Sequence, residues 1–132
     1  MIISIDGNGI GKILERYILQ NKLEDLHNFS ESIKQYIKKV ECIILDNNGV
    51  IYMSGGDNII ADIPEKNINI ILKLILNINL PDNITFAISL GKNTTLSYLA
   101  LEKIKNNLSE YRDTIMICEI KNNELMFKPY II

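Results

Sequence analysis

A chain of 132 residues, 47% of them hydrophobic, falls in the range of one domain and can bury a core without disulfide or metal staples. Its net charge of −2 supplies no general attraction to polyanions, which disfavours a sequence-independent DNA or RNA binder and requires any phosphate ligand to be held by a local site. The two cysteines, Cys42 and Cys118, lie in apolar β-like runs with neither CxxC spacing nor histidine neighbours, so both are expected to be buried free thiols in a reducing cytosol.

The chain starts on a β-branched run over residues 2–5 that lacks the basic flank of a signal peptide and reads as a strand. Asp6-Gly7-Asn8-Gly9 then breaks the strand and opens a helix whose apolar positions are Ile10, Ile13, Leu14, Tyr17 and Ile18, the stripe of a core-facing surface. A second stripe follows at Leu23, Leu26, Phe29, Ile33, Tyr36, Ile37 and Val40, and after it the run Glu41-Cys42-Ile43-Ile44-Leu45 has β character. Two short apolar runs, 50–53 and 59–63, flank Ser54-Gly55-Gly56-Asp57-Asn58 and predict a hairpin, because glycine accepts the positive φ that tight hairpin turns require. Pro64 opens a third helix bearing Ile68, Ile71, Leu72, Ile75 and Leu76, and Pro81-Asp82-Asn83 makes a loop.

A strand over 85–90 comes next, then Asn93-Thr94-Thr95 as cap of a fourth helix with Leu96, Leu99, Ala100, Ile104 and Leu108 on one face. Strands over 114–120 and 125–130 around Asn122-Asn123 close the chain. The order β-α-α-β-β-α-β-α-β with a terminal extension predicts an α+β, ferredoxin-like domain over residues 1–132, an antiparallel sheet with helices packed on one face. The longest Ile/Leu-rich stretch, 68–80, is interrupted by Asn69, Lys73, Asn77 and Asn79, so no membrane span and a cytoplasmic location are expected.

In this topology the first strand pairs with the central hairpin, which brings Asp6 close to Asp57. Paired carboxylates suit nucleotidyl transfer, in which hard divalent cations activate the attacking hydroxyl and bridge the triphosphate. Gly55 and Gly56 admit a triphosphate to the hairpin backbone, as Gly7, Gly9 and Gly11 do at the amino end of the first helix, where free N–H groups and the dipole favour phosphate. Gly7-Asn8-Gly9-Ile10-Gly11-Lys12 lacks the spacing of a Walker loop, which sets a P-loop ATPase aside.

Ile5-Asp6-Gly7-Asn8-Gly9-Ile10-Gly11 together with Ser54-Gly55-Gly56-Asp57-Asn58 resembles the two metal-binding motifs of palm-type cyclases, a group that includes GGDEF diguanylate cyclases and the large subunit of type III CRISPR complexes. Within that group the sequence is most similar to the minimal CRISPR polymerases, stand-alone palm domains of this size associated with anti-phage defence. Ala100-Leu101-Glu102-Lys103-Ile104-Lys105 resembles the family's fourth helix, in which a lysine at the place of Lys105 reaches the triphosphate.

The resemblance implies Mg²⁺ or Mn²⁺ on Asp6, Asp57 and the backbone of Gly7. It also implies nucleotide contacts from Gly7, Asn8, Gly9, Ile10, Gly11, Lys12, Ser54, Gly55, Gly56 and Lys105, with Phe29 and Ser30 near the base. The expected substrate is ATP and the expected product cyclic di-AMP, possibly 2′,3′-linked, made by a homodimer and read by a separate effector protein. Many relatives carry a second acid where this chain has Asn8 and Asn58, leaving one carboxylate per motif. Two alternatives stay open: a catalytically silent nucleotide-binding or sensor module, and a GTP-using diguanylate-type cyclase. Template-directed polymerisation is disfavoured by size and acidity. His27 reads as a surface or base-pocket residue in preference to a metal ligand, and Asp46 and Asp62 read as surface residues.

Overall fold

Residues 1–81 and 83–132 are described by the computed structural model; of the predicted Pro81-Asp82-Asn83 loop, Asp82 lies outside the described residues. The elements run β1 (Ile2–Gly7), α1 (Ile10–Leu19), α2 (Leu23–Asp46), β2 (Val50–Gly55), β3 (Asn58–Asp62), a 3₁₀ turn (Glu65–Asn67), α3 (Ile68–Leu76), β4 (Phe86–Gly91), α4 (Thr94–Lys105), α5 (Leu108–Tyr111), β5 (Met116–Lys121) and β6 (Glu124–Pro129). The strands form one sheet in the order β2-β3-β1-β4-β5-β6. Its first four strands are antiparallel throughout. With α1, α2 and α3 they make the β-α-β-β-α-β unit of a ferredoxin-like palm, so the chain is α+β as the sequence predicts.

Two features depart from the sequence expectation of an antiparallel sheet with helices on one face. The β4–β5 pair is parallel, with Ser89, Leu90 and Gly91 opposite Met116, Ile117 and Cys118. The connection between them runs through α4 and the short α5, and a helical crossover of this kind delivers the next strand in the same direction. The sheet is therefore mixed. Secondly, α4 lies on the opposite face from α1–α3. Phe86, Ile88 and Leu90 of β4 join the core with Val40, Ile71 and Leu72, whereas Ala87 between them packs with Leu96, Ala100 and Ile104 of α4. Successive strand residues face opposite ways, so β4, buried at all six positions, needs cover on both sides.

A third correction concerns residues 41–45. They form the last turns of α2 and contain no strand, because Ile44 continues the buried steps Ile33, Ile37 and Val40 at helical spacing. The stripe ends only at Asn48, with φ 65°, and Gly49, whose N–H donates to the Ile44 carbonyl at 2.8 Å. Cys42 is consequently exposed on the outer side of a helix, while Cys118 is buried as expected; both are free thiols.

Turn chemistry fits the predicted hairpins. Gly56 has φ 54° while Asp57 does not share the positive φ, the pattern of a type II′ turn between Gly55 and Asn58. Asn122 and Asn123 both have positive φ, 53° and 63°, as a type I′ turn between β5 and β6 requires. Asn93 caps α4 by accepting from the Leu96 N–H at 2.9 Å. Among the described residues, no helix is long and apolar enough to cross a membrane.

Candidate active site

Strand pairing builds the site. In the β1–β3 ladder Asp6 stands opposite Asn58, and one residue further the Gly7 N–H donates to the Asp57 carbonyl at 3.0 Å. The end of β1 and the β2–β3 turn are thus fixed to one another by backbone bonds, and two carboxylates from distant parts of the chain become neighbours. Gly7 is buried in the closest part of this contact: a Cβ there would lie 2.8 Å from Asp57 Oδ2 and would strike the side chain of Ile10. A residue without a side chain is what lets Asp57 sit against β1.

Asp57 is half-buried, and its carboxyl is held above the ordinary aspartate range, first by desolvation and then by the negative charge of Asp6; its own backbone N–H and the Lys105 ammonium act in the opposite direction. Lys105, the last residue of α4, reaches across the sheet end. Its Nζ donates to Asp6 Oδ2 at 2.6 Å and to the Gly7 carbonyl at 2.7 Å, with both side chains of the ion pair about three-quarters buried, 25% exposed for Lys105 and 26% for Asp6.

The donor set accepts a cation. A carboxylate oxygen and a backbone carbonyl oxygen converge on the Lys105 ammonium, which stands in for a positive ion at that point. No group of three or more His, Cys, Asp or Glu that could hold a metal occurs among the described residues. Asp6 and Asp57 are two neighbouring carboxylates, and Mg²⁺ binds through one or two carboxylates, with waters and substrate phosphates completing its shell.

The residues expected to meet phosphate occupy the amino end of α1. Gly9 is its N-cap in the left-handed region at φ 67°, and no side chain caps the helix, so the first-turn N–H groups of Ile10, Gly11 and Lys12 have no helical partners. Gly11 and Lys12 are exposed and Ile10 is buried. Asn8 turns into the fold: its side-chain amide donates to Thr85 Oγ1 at 3.1 Å and its backbone N–H to the Thr85 carbonyl at 2.9 Å. Asn8 is therefore held by β4's approach and is unlike its exposed neighbour Gly9. On the hairpin, Gly55 and Gly56 are exposed, and the Ser54 hydroxyl donates to Glu41 of α2.

A cavity of about 280 Å³ adjoins the Asp57 carboxylate, lined by Ile10, Gly11, Leu14, Ser30, Ile33 and Lys34 together with Gly56 and Asp57. Ser30 is in place beside the site. Phe29 is separated from it: it makes an edge-on contact with Tyr17, ring centroids 5.9 Å apart, and lines a different cavity with Arg16 and Asn28. Consecutive residues on a helix point about 100° apart, so Phe29 and Ser30 serve different faces of α2. Leu14, Ile33 and Lys34 were not singled out by the sequence, the first two because their stripe positions already assign them to the core. His27, Asp46 and Asp62 are exposed.

No curated protein matches this sequence. The family model of the minimal CRISPR polymerase domain matches residues 2–115, a span that contains Asp6, the hairpin with Asp57, and the helix with Lys105. Covering most of the chain, that match establishes that it belongs to the minimal CRISPR polymerase domain family.

Proposed function

We propose that the chain is a metal-dependent nucleotidyl cyclase that joins ATP into a cyclic nucleotide signal, cyclic di-AMP, with release of pyrophosphate. The observation that carries this reading is the convergence of Asp6 Oδ2 and the Gly7 carbonyl on a positive charge, with Asp57 alongside. Asp6, Asp57 and the Gly7 carbonyl would hold Mg²⁺ or Mn²⁺. When bound, such ions lower the proton affinity of an attacking hydroxyl and neutralise charge developing on the triphosphate.

The chain's own residues supply the rest. Free N–H groups of Ile10, Gly11 and Lys12 at the α1 amino end bind phosphate oxygens, favoured by the helix dipole. Gly55 and Gly56 are exposed and leave the hairpin backbone open to the polyphosphate, since neither carries a side chain and a Cβ on either would find nothing within 4 Å. The adjoining cavity of about 280 Å³ receives the nucleoside, with Ser30 as a polar contact and Leu14 and Ile33 as apolar walls. Each chain offers one such triphosphate site, so two chains facing one another make the dinucleotide, and a separate effector reads it.

The test is incubation of the purified chain with each nucleoside triphosphate and Mg²⁺ or Mn²⁺, with products identified by mass spectrometry. Cyclic di-AMP from ATP is expected, and Asp6→Ala or Asp57→Ala reduces it to background while the far-ultraviolet circular dichroism spectrum is retained. Cyclic di-GMP from GTP would reassign the substrate. Nucleotide binding that needs no metal and yields no product would make the chain a sensor module.

A further inference from the structure

Lys105 is the one cation held against the acidic end of β1 among the described ion pairs, and it engages two of the three groups assigned above to a metal. We propose that Lys105 is an internal counter-cation that competes with the divalent metal for Asp6 and the Gly7 carbonyl, so that the metal site opens when a triphosphate takes up the ammonium. This inference rests on the metal-dependent reading and adds an order to it: polyphosphate and metal enter together, and the free chain binds metal weakly.

The packing of α4 makes such an exchange local. The helix is fixed to the sheet by buried serines: Ser4 Oγ and Ser97 Oγ are 2.7 Å apart, and Ser89 Oγ donates to the Ser97 carbonyl at 2.8 Å. Gly91 lets the helix backbone lie directly on β4. The body of α4 therefore stays in place while the four-carbon stem of Lys105, at its last position, changes rotamer. An ammonium is a compact charge that moves readily between oxygen partners, whereas the backbone carbonyl of Gly7 is fixed by the strand.

The exchange is also balanced in charge. Without Lys105 or a metal, Asp6 and Asp57 face each other at a half-buried site, and both cations answer the same repulsion. A triphosphate brings several negative charges, enough to hold both the lysine and the metal. A nucleoside monophosphate brings too little to draw Lys105 away from Asp6. On this account the ion pair selects for polyphosphates before any bond is made.

The experiment is a titration of the full chain with Mn²⁺, following free Mn²⁺ by electron paramagnetic resonance, without nucleotide and then with a non-hydrolysable ATP analogue. Without nucleotide, Lys105→Met is expected to bind Mn²⁺ about tenfold more tightly than the parent, the scale of removing one partly buried competing cation. Lys105→Gln keeps donors for Asp6 and Gly7 without the charge and falls between the two; it carries the comparison if the methionine variant does not fold. The analogue should tighten Mn²⁺ binding more in the parent than in Lys105→Met.

Lys103, two positions earlier on α4, lies 5.6 Å from the Phe127 ring centroid and is the control. Lys103→Met removes the same charge from a lysine that is not paired with Asp6, and should change Mn²⁺ affinity by less than about twofold. Equal Mn²⁺ affinity in the parent and the Lys105 variants overturns the competition and leaves the metal site standing, as does an equal gain from Lys103→Met. Absence of Mn²⁺ binding in every chain, with and without the analogue, removes both the competition and the metal-dependent reading.

Discussion

Replacing Gly7 by alanine tests the geometry of the site without substituting either carboxylate. The backbone of Gly7 is outside the positive-φ region, so alanine meets no conformational objection and the effect is purely steric. The new Cβ would lie 2.8 Å from Asp57 Oδ2, 3.2 Å from Ile10 Cδ1 and closer still to Ile10 Cγ1, where carbon contacts prefer about 3.5–4.0 Å. Asp57 can swing away because its carboxylate is the free end of a short side chain. Ile10 cannot: it is 5% exposed, packed in the core at the first position of α1, so the helix start must shift.

Overpacking of this kind costs about 1–3 kcal/mol. For a chain of this length that lowers Tm by about 3–5 °C for each kcal/mol. Urea denaturation followed by circular dichroism measures the loss, and a double-mutant cycle assigns it. Ile10→Ala removes the struck atoms, so Gly7→Ala should cost about 1 kcal/mol less in that background than in the parent. Turnover should fall more than stability, since the displaced Asp57 carboxylate no longer meets the end of β1. A Gly7→Ala protein within about 0.5 kcal/mol of the parent, or an equal cost in both backgrounds, would refute the steric argument.

Three further perturbations follow from other contacts. Gly91→Ala would place a Cβ 2.7 Å from the Leu96 carbonyl carbon, with the Ser97 amide nitrogen nearer still; backbone cannot turn aside, so a loss of about 3 kcal/mol is expected by chemical denaturation, at the upper end for overpacking. Asp57→Asn should stabilise the metal-free chain near neutral pH. The folded chain holds the Asp57 proton more tightly than the unfolded one, so parental stability declines as pH rises from the ordinary value of 3.8 through the raised folded value, and the variant lacks that decline. The gain is under about 1 kcal/mol for a partly solvated group and appears as a Tm difference that vanishes toward low pH. Ser30→Leu should raise the KM for ATP by about tenfold or more by filling the cavity beside Asp57, whereas Phe29→Ala should lower stability by about 1–3 kcal/mol and leave KM nearly unchanged.

The palm unit was legible because its signals are local. Stripes at helical spacing, a Gly-Gly turn between two apolar runs and an asparagine cap each identify one element, and the order of elements limits how they pack. Residues 41–45 misled because Ile43 and Ile44 favour strands by composition, while the continuation of the α2 stripe through Val40 and Ile44 decides the outcome by burial. The short α5 and the 3₁₀ turn at Glu65–Asn67 span too few residues to carry a period at all. Placement of α4 on the second face was legible only in hindsight, in the small residues Ser4, Ala87 and Ser89 that alternate with Ile3, Ile5, Phe86 and Ile88 along β1 and β4.

The site divides along the same line. Asp6 and Asp57 were visible because each ends or interrupts a recognisable element, and antiparallel pairing of β1 with the hairpin is the expected neighbour relation. The lysine's first partner was not visible, because Lys105 and Asp6 are 99 positions apart and meet only if α4 crosses the far face at a particular height. That height is set by Gly91 and the Ser4, Ser89 and Ser97 contacts, where larger side chains would lift the helix. A lift of one or two ångströms would open the 2.6 and 2.7 Å bonds beyond hydrogen-bond range unless the lysine stem extended to follow. The small residues under α4 therefore govern the electrostatics of the carboxylates without touching them, and a substitution such as Gly91→Ala should loosen the Lys105 hold on Asp6 as well as the core.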